Sequence, residues 1–162
     1  MNIKRKYNFI FGYDETVFVN NIENDLKKGL NCVVISMSAQ FCEKMNKKFT
    51  KDYETLMIIG KSDDALKKQM ADSEKLLKGV DLFIYSPCIT VGIDINFKHF
   101  DKLYGYICNN SVTARDFMQM LARIRNPAST DINLLIDNKM PKSKIGNYYE
   151  FEEVKLIYAH KY

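Results

Sequence analysis

Paired cysteines, zinc-type ligand spacings, membrane-length apolar runs and a phosphate-cradling glycine loop are all missing from this sequence of 162 residues. Its four cysteines, Cys32, Cys42, Cys88 and Cys108, form no Cys-x-x-Cys pair and have no neighbouring histidine. That argues against a zinc site or a disulfide framework. Three of them lie in apolar runs, so they read as buried free thiols of a protein kept in a reducing compartment. No apolar run approaches the length that crosses a bilayer, and the opening Met-Asn-Ile-Lys-Arg-Lys-Tyr leads into no signal core. The expectation is an intracellular, soluble protein with no membrane partner. Proline and glycine together number only 10 of 162 residues against 46% apolar residues, which excludes a disordered chain and fits one domain with a single core. Gly60-Lys61-Ser62 follows an apolar run as the end of a P-loop would. Thr55 and Leu56–Ile59 stand where the first glycine and the flexible loop belong, so a true phosphate cradle is not expected there. His99 and His160 have no convincing partners, and His99 reads as structural.

Charge of one sign is also scarce. The formal net charge is +4, from 24 basic and 20 acidic residues, which permits nucleic-acid contact without arguing for it. Arginine is rarer still: Arg5, Arg115, Arg123 and Arg125 are all there are. Three of the four fall in one short segment of a lysine-rich chain. The planar guanidinium is the group suited to bidentate phosphate recognition, so this concentration marks the segment.

What is present alternates between strand and helix. Residues 7–13 read as a strand or an extended arm, and 14–29 as a helix capped by Asp14, with Val17, Ile22, Leu26 and Leu30 near helical spacing. A buried strand at 32–36 leads to Ser38, which caps a helix to about residue 49 carrying Phe41, Met45 and Phe49 on one stripe. A second strand at 55–59 precedes a helix from Ser62 or Asp63 to about Lys78, stopped at Gly79. Strands at 81–85 and 102–108, a helix at 111–125 and a strand at 132–136 complete the pattern. Short strands alternating with helices imply a mainly parallel sheet of five to six strands covered on both faces, a three-layer α/β/α fold. The core spans about residues 30–137, and residues 139–162 form a basic, then acidic and aromatic tail.

Two segments carry chemistry. In an open parallel sheet, ligands bind beyond the carboxyl ends of the strands, and Ser86-Pro-Cys-Ile-Thr90-Val-Gly92-Ile-Asp94-Ile follows the strand at 81–85. Pro87 forces Ser86 out of helical geometry and Gly92 permits a tight turn, while Thr90 offers a hydroxyl and Asp94 a carboxylate. An ordinary βα loop with a polar rim would read the same way. The second segment is Gln119-Met-Leu-Ala-Arg123-Ile-Arg125. On its helix Phe117, Leu121 and Ile124 share the buried stripe, and Arg115, Gln119 and Arg123 recur every fourth residue on another face. Pro127 ends the helix near Arg125, leaving Arg125 free to point away from a regular turn. A solvated basic face is the competing account.

In order, these segments resemble motifs V and VI of superfamily 2 helicases, on the second RecA-like domain. The nearest resemblance is to the viral and plasmid replication origin-binding helicase group, over residues 30–137. The resemblance implies that Arg123 and Arg125 act as arginine fingers on a γ-phosphate and that Gln119 contacts the nucleotide or the attacking water. Gly92 and Asp94 would face the nucleotide, and Thr90, Ser86, Ser36 and Ser38 the backbone of single-stranded DNA; Ser38 reads equally as a helix cap. The usual motif VI reads Gln-x-x-Gly-Arg-x-Gly-Arg. Here Ala122 replaces the first glycine and the second is missing, so Arg125 comes one residue early. No Walker A loop and no Asp-Glu metal motif are present, so the resemblance implies half an engine. ATP and Mg2+ would be bound mainly by a first RecA-like domain of the same protein, and this chain alone would be inactive. Beside that reading stand a non-catalytic RecA-like module that binds nucleic acid or protein, and a stand-alone nucleotide-binding enzyme.

Overall fold

A computed structural model of the chain describes residues 5–12, 15–87, 94–108 and 113–137. Six strands form one sheet: β1 (Lys6–Phe11), β2 (Cys32–Ser36), β3 (Thr55–Ile58), β4 (Leu82–Tyr85), β5 (Lys102–Ile107) and β6 (Asp131–Ile136). Their spatial order is β1-β6-β5-β2-β4-β3, and every pairing is parallel. The helices are α1 (Glu15–Lys27), α2 (Ala39–Phe49), α3 (Asp64–Gln69), α4 (Ser73–Leu77) and α5 (Ala114–Ala122).

Alternation along the central strands explains the layers. In β2, Cys32 and Val34 enter one core while Val33 and Ile35 enter the other, and Leu82 with Ile84 oppose Phe83 with Tyr85 in β4. Both faces of these strands are apolar because both are covered, as a parallel sheet requires. One face receives Phe18, Ile22 and Leu26 of α1 and Phe41, Met45 and Phe49 of α2. The other receives Met70, Leu77 of α4 and Phe117 and Leu121 of α5. The three-layer α/β/α arrangement expected from the sequence is the one observed.

Local chemistry sets most element ends. Ser38 accepts from the Phe41 backbone N–H at 3.3 Å and caps α2 as expected. Thr113 and Asp116 form a reciprocal capping box at the start of α5. Gly79, at φ 85°, stops α4 in a left-handed conformation that side-chain-bearing residues avoid. Two helices differ from expectation. The helix expected over 62–78 is broken into α3, a 3-10 turn at Met70–Asp72, and α4. Asp72 leaves helical geometry and its carboxylate accepts from the Lys75 N–H at 3.4 Å, which starts a new helix in place of continuing the old one. The helix expected to reach Arg125 ends at Ala122, because Ile124 is drawn into a strand-like pairing described below. The sheet also extends upstream of residue 30, through β1 at its edge.

Cys32, Cys42 and Cys108 are buried and form no disulfide, and burial pushes the Cys32 pKa up to about 12. His99 Nε2 lies 2.9 Å from the Val80 carbonyl oxygen, a structural contact. No described helix is long and apolar enough to cross a membrane. The Asp14 cap, Cys88, Ser111 and the 139–162 tail lie outside the described residues.

Gly105 marks where α5 meets β5. A Cβ there would sit 2.6 Å from Leu134 Cδ2 and 2.8 Å from Phe117 Cζ, both in the core. Gly105→Ala should therefore destabilise the fold by about 1–3 kcal/mol, the usual cost of overpacking. Urea unfolding monitored by circular dichroism checks this; an unchanged midpoint would mean that the α5 interface yields freely.

Candidate functional site

The two singled-out segments meet. After β4 the chain returns across the sheet toward β5, and after α5 it returns toward β6. Because β5 and β6 are neighbours, the stretches that feed them run side by side. Leu103 pairs with Ile132 in the sheet, and Ile95 pairs with Ile124 ahead of it, the same offset of 29 residues. The Ile95 N–H donates to the Arg123 carbonyl at 2.9 Å, and the Arg125 N–H donates to the Ile95 carbonyl at 2.8 Å. Both isoleucines are buried and anchor the pairing from beneath. Further along, the Ala128 and Ser129 N–H groups donate to the carbonyls of Phe100 and Asp101, at 3.0 Å each.

On the outer side of this junction the polar groups converge. Arg125 Nε donates to Asp94 Oδ1 at 2.6 Å. Asn126 Nδ2 donates to the Asn96 carbonyl. The Arg125 and Asp94 side chains stay 63% and 48% exposed, so the pair is formed but open to exchange with another anion. The expectation that Arg125 is free to point is thus corrected in one respect: its backbone is bridged and its guanidinium is held by Asp94. Arg123 is the C-terminal cap residue of α5 and is half-buried. Gln119 and Arg115 are exposed on the same helix.

The junction is held from inside by residues that sequence reasoning did not single out. Buried Tyr85 donates its hydroxyl to the Met120 carbonyl at 2.9 Å. Burial drives the Tyr85 pKa upward, against the opposing pull of the nearby Arg123 and Arg5 charges. Arg5 donates Nη1 to the Leu121 carbonyl at 2.6 Å and Nη2 to the Ile124 carbonyl at 2.5 Å. A tyrosine in an apolar strand and a lone arginine before β1 give no local signal of these long-range bonds.

The other expected residues divide. Ser36 is the last residue of β2 and Ser86 follows the end of the neighbouring β4; both are buried. The Ser36 hydroxyl donates to the Ser38 carbonyl and accepts from the Ser38 N–H, both at 2.9 Å. It therefore shapes the turn into α2 from beneath, and Ser38, half-buried, stands closer to the surface. Thr90 and Gly92 lie outside the described residues. Among the described residues no three His, Cys, Asp or Glu side chains gather as a metal site.

The family described as origin of replication binding protein matches residues 5–148. An Acanthamoeba polyphaga mimivirus protein provisionally named as a replication origin-binding protein is 33% identical over 138 residues, covering 84% of this chain and 17% of that protein. A second mimivirus protein, provisionally named as a helicase, is 32% identical over 167 residues, covering 94% and 16%. An African swine fever virus protein (strain Badajoz 1971 Vero-adapted), provisionally named as a helicase/primase complex protein, is 32% identical over 84 residues, covering 51% and 7%. The chain thus spans about a sixth of the length of the mimivirus relatives it matches. Among solved structures, domain 2 of the DEAD-box helicase Mss116p bound to an RNA duplex superposes with a TM-score of 0.62 at 16% identity, covering 94% of this chain and 67% of that one. The C-terminal part of the Fun30 ATPase domain gives a TM-score of 0.53 at 20% identity, covering 85% and 46%. At these identities the structural likeness shows the fold alone, a RecA-like α/β/α arrangement. Through a match spanning most of its length, the chain belongs to the family of origin of replication binding proteins.

Proposed function

We propose that residues 1–162 form the second RecA-like half of an ATP-dependent DNA helicase or translocase that works in replication. The observation that carries this reading is the contact between Asp94 and Arg125, 31 residues apart in sequence and joined at 2.6 Å. It unites the two motif-like segments in one exposed polar edge.

The chemistry follows from exchange. A phosphate group carries more negative charge than one carboxylate and accepts two parallel guanidinium N–H bonds. When a first RecA-like domain carrying ATP closes on this edge, Arg125 turns from Asp94 to the γ-phosphate and Arg123 joins it from the helix end. Both then stabilise the charge that develops during phosphoryl transfer. Gln119, one turn earlier, orients the nucleotide or the attacking water. Asp94, released, and Gly92 face the ribose or the water around it. The magnesium that accompanies ATP would be held by the first domain and would supply neutralisation of phosphate charge there.

The opposite task falls to the carboxyl ends of β2 and β4. Ser38 and Thr90 contact the backbone of single-stranded DNA there, and buried Ser36 shapes the turn that presents Ser38. Opening and closing of the interdomain cleft then moves the strand.

In a protein joining this chain to its ATP-binding half, Arg123→Ala and Arg125→Ala should each lower kcat for ATP hydrolysis by about 10- to 1,000-fold. KM should change less, since the charge these groups meet is greatest in the transition state. Arg115→Ala, two turns away, is the control and should have little effect. Full DNA-stimulated turnover in folded Arg123 and Arg125 variants would overturn the reading. The chain alone should bind a labelled single-stranded oligonucleotide weakly, with affinity falling steeply as salt rises; tight, salt-insensitive binding in fluorescence anisotropy would favour a dedicated recognition module. Asp94→Asn should shift stability by less than about 1 kcal/mol, because the pair it breaks is exposed. A larger loss in denaturant titration would make the pair a structural element and not an exchangeable one.

A further inference from the structure

The last turn of α5 and the residues after it are held by donors from three distant parts of the chain. Met120 receives the Tyr85 hydroxyl, Arg123 receives the Ile95 N–H, and Leu121 and Ile124 both receive the Arg5 guanidinium. Helix C-terminal carbonyls lack intrahelical partners and carry the negative end of the helix dipole, so a cation is favoured there. The two carbonyls that Arg5 joins differ in kind. Leu121 lies within α5, whereas Ile124 lies beyond its end, in the bridge to Ile95. A rigid fork across both fixes the angle at which the chain leaves the helix, and that angle aims Arg123 and Arg125. Lysine, a point donor on a flexible stem, cannot hold both carbonyls in one fixed geometry.

The sheet explains how Arg5 reaches this place. Lys6 pairs with Asp131 at the start of the β1–β6 ladder, and the Lys6 N–H donates to the Thr130 carbonyl at 3.0 Å. The residue before Lys6 is therefore delivered to the entry of β6, next to the end of α5.

We infer that Arg5 is a positioning residue: its fork across the Leu121 and Ile124 carbonyls couples the edge strand β1 to the arginine-bearing end of α5 and holds Arg125 in register with Asp94. Arg5 itself touches neither Asp94 nor Arg125; it acts through the backbone. The inference rests on reading Arg123 and Arg125 as the functional end of α5, but its test needs no nucleotide.

The test uses the chain itself, labelled with 15N, and follows hydrogen exchange of the assigned Arg125 backbone amide. In the wild type this N–H donates to the Ile95 carbonyl at 2.8 Å, in the bridge above the buried isoleucines, and should exchange slowly with water; the rate of an unstructured peptide of the same local sequence is the unprotected reference. Arg5→Ala should speed this exchange by about ten-fold or more while the central strand amides stay protected, since only the helix exit loosens. Arg5→Lys should fall between Arg5→Ala and wild type. Arg125 exchange at the wild-type rate in a folded Arg5→Ala protein would overturn the inference. If Arg5→Ala does not fold, Arg5→Lys decides alone, and a wild-type rate there has the same consequence. Loss of the arginine-finger reading would show instead as undiminished ATP hydrolysis in Arg125→Ala, with the exchange result unaffected.

Discussion

Among the described residues every strand pairing is parallel, so no hairpin joins two strands, and that constraint organises the rest of the described fold. Each strand must be followed by a return path to the opposite end of the sheet before the next can begin. Two of those paths lead to β5 and β6, which are neighbours, so their final stretches are forced alongside one another. The pairing of Ile95 with Ile124 is an isolated parallel bridge ahead of that ladder, with the same offset of 29 residues. Side chains that flank the buried isoleucines, Asp94 and Arg125, are then brought together on the outside without any need for sequence proximity.

The polar edge produced this way is held firmly in its backbone and loosely in its side chains. Backbone bonds near 3 Å and two buried isoleucines fix where the chain runs. The ion pair above them is exposed and adds little to stability. That division would suit the proposed exchange of Asp94 for a phosphate, with the backbone keeping its shape. The inner side has the reverse character: Tyr85 and Arg5 spend their donors on helix carbonyls and are part of the frame.

The fold was largely legible from pattern. Apolar five-residue runs separated by helical spacing announced buried parallel strands, and Ser38 and Gly79 marked helix ends through short-range chemistry. The site was legible as two motifs but not as one place. Ser36 illustrates the gap: a small polar residue at a strand end suggests ligand contact, yet its hydroxyl is buried and bonded to Ser38 on both sides. The end of α5 is another. Pro127 pointed to termination near Arg125, but pairing across the fold stopped the helix three residues earlier.

By itself, then, the sequence determined the elements, the two-faced burial of the sheet and the residue types available for phosphate, because periodicity, capping and the chemistry of arginine act over a few residues. Only the tertiary structure decided which of those residues meet. Asp94 with Arg125, Tyr85 with Met120, and Arg5 with Leu121 and Ile124 are bonds across 31 to 119 positions. Contacts at that separation depend on strand order, and strand order is set by how two cores are buried at once rather than by any local run of residues.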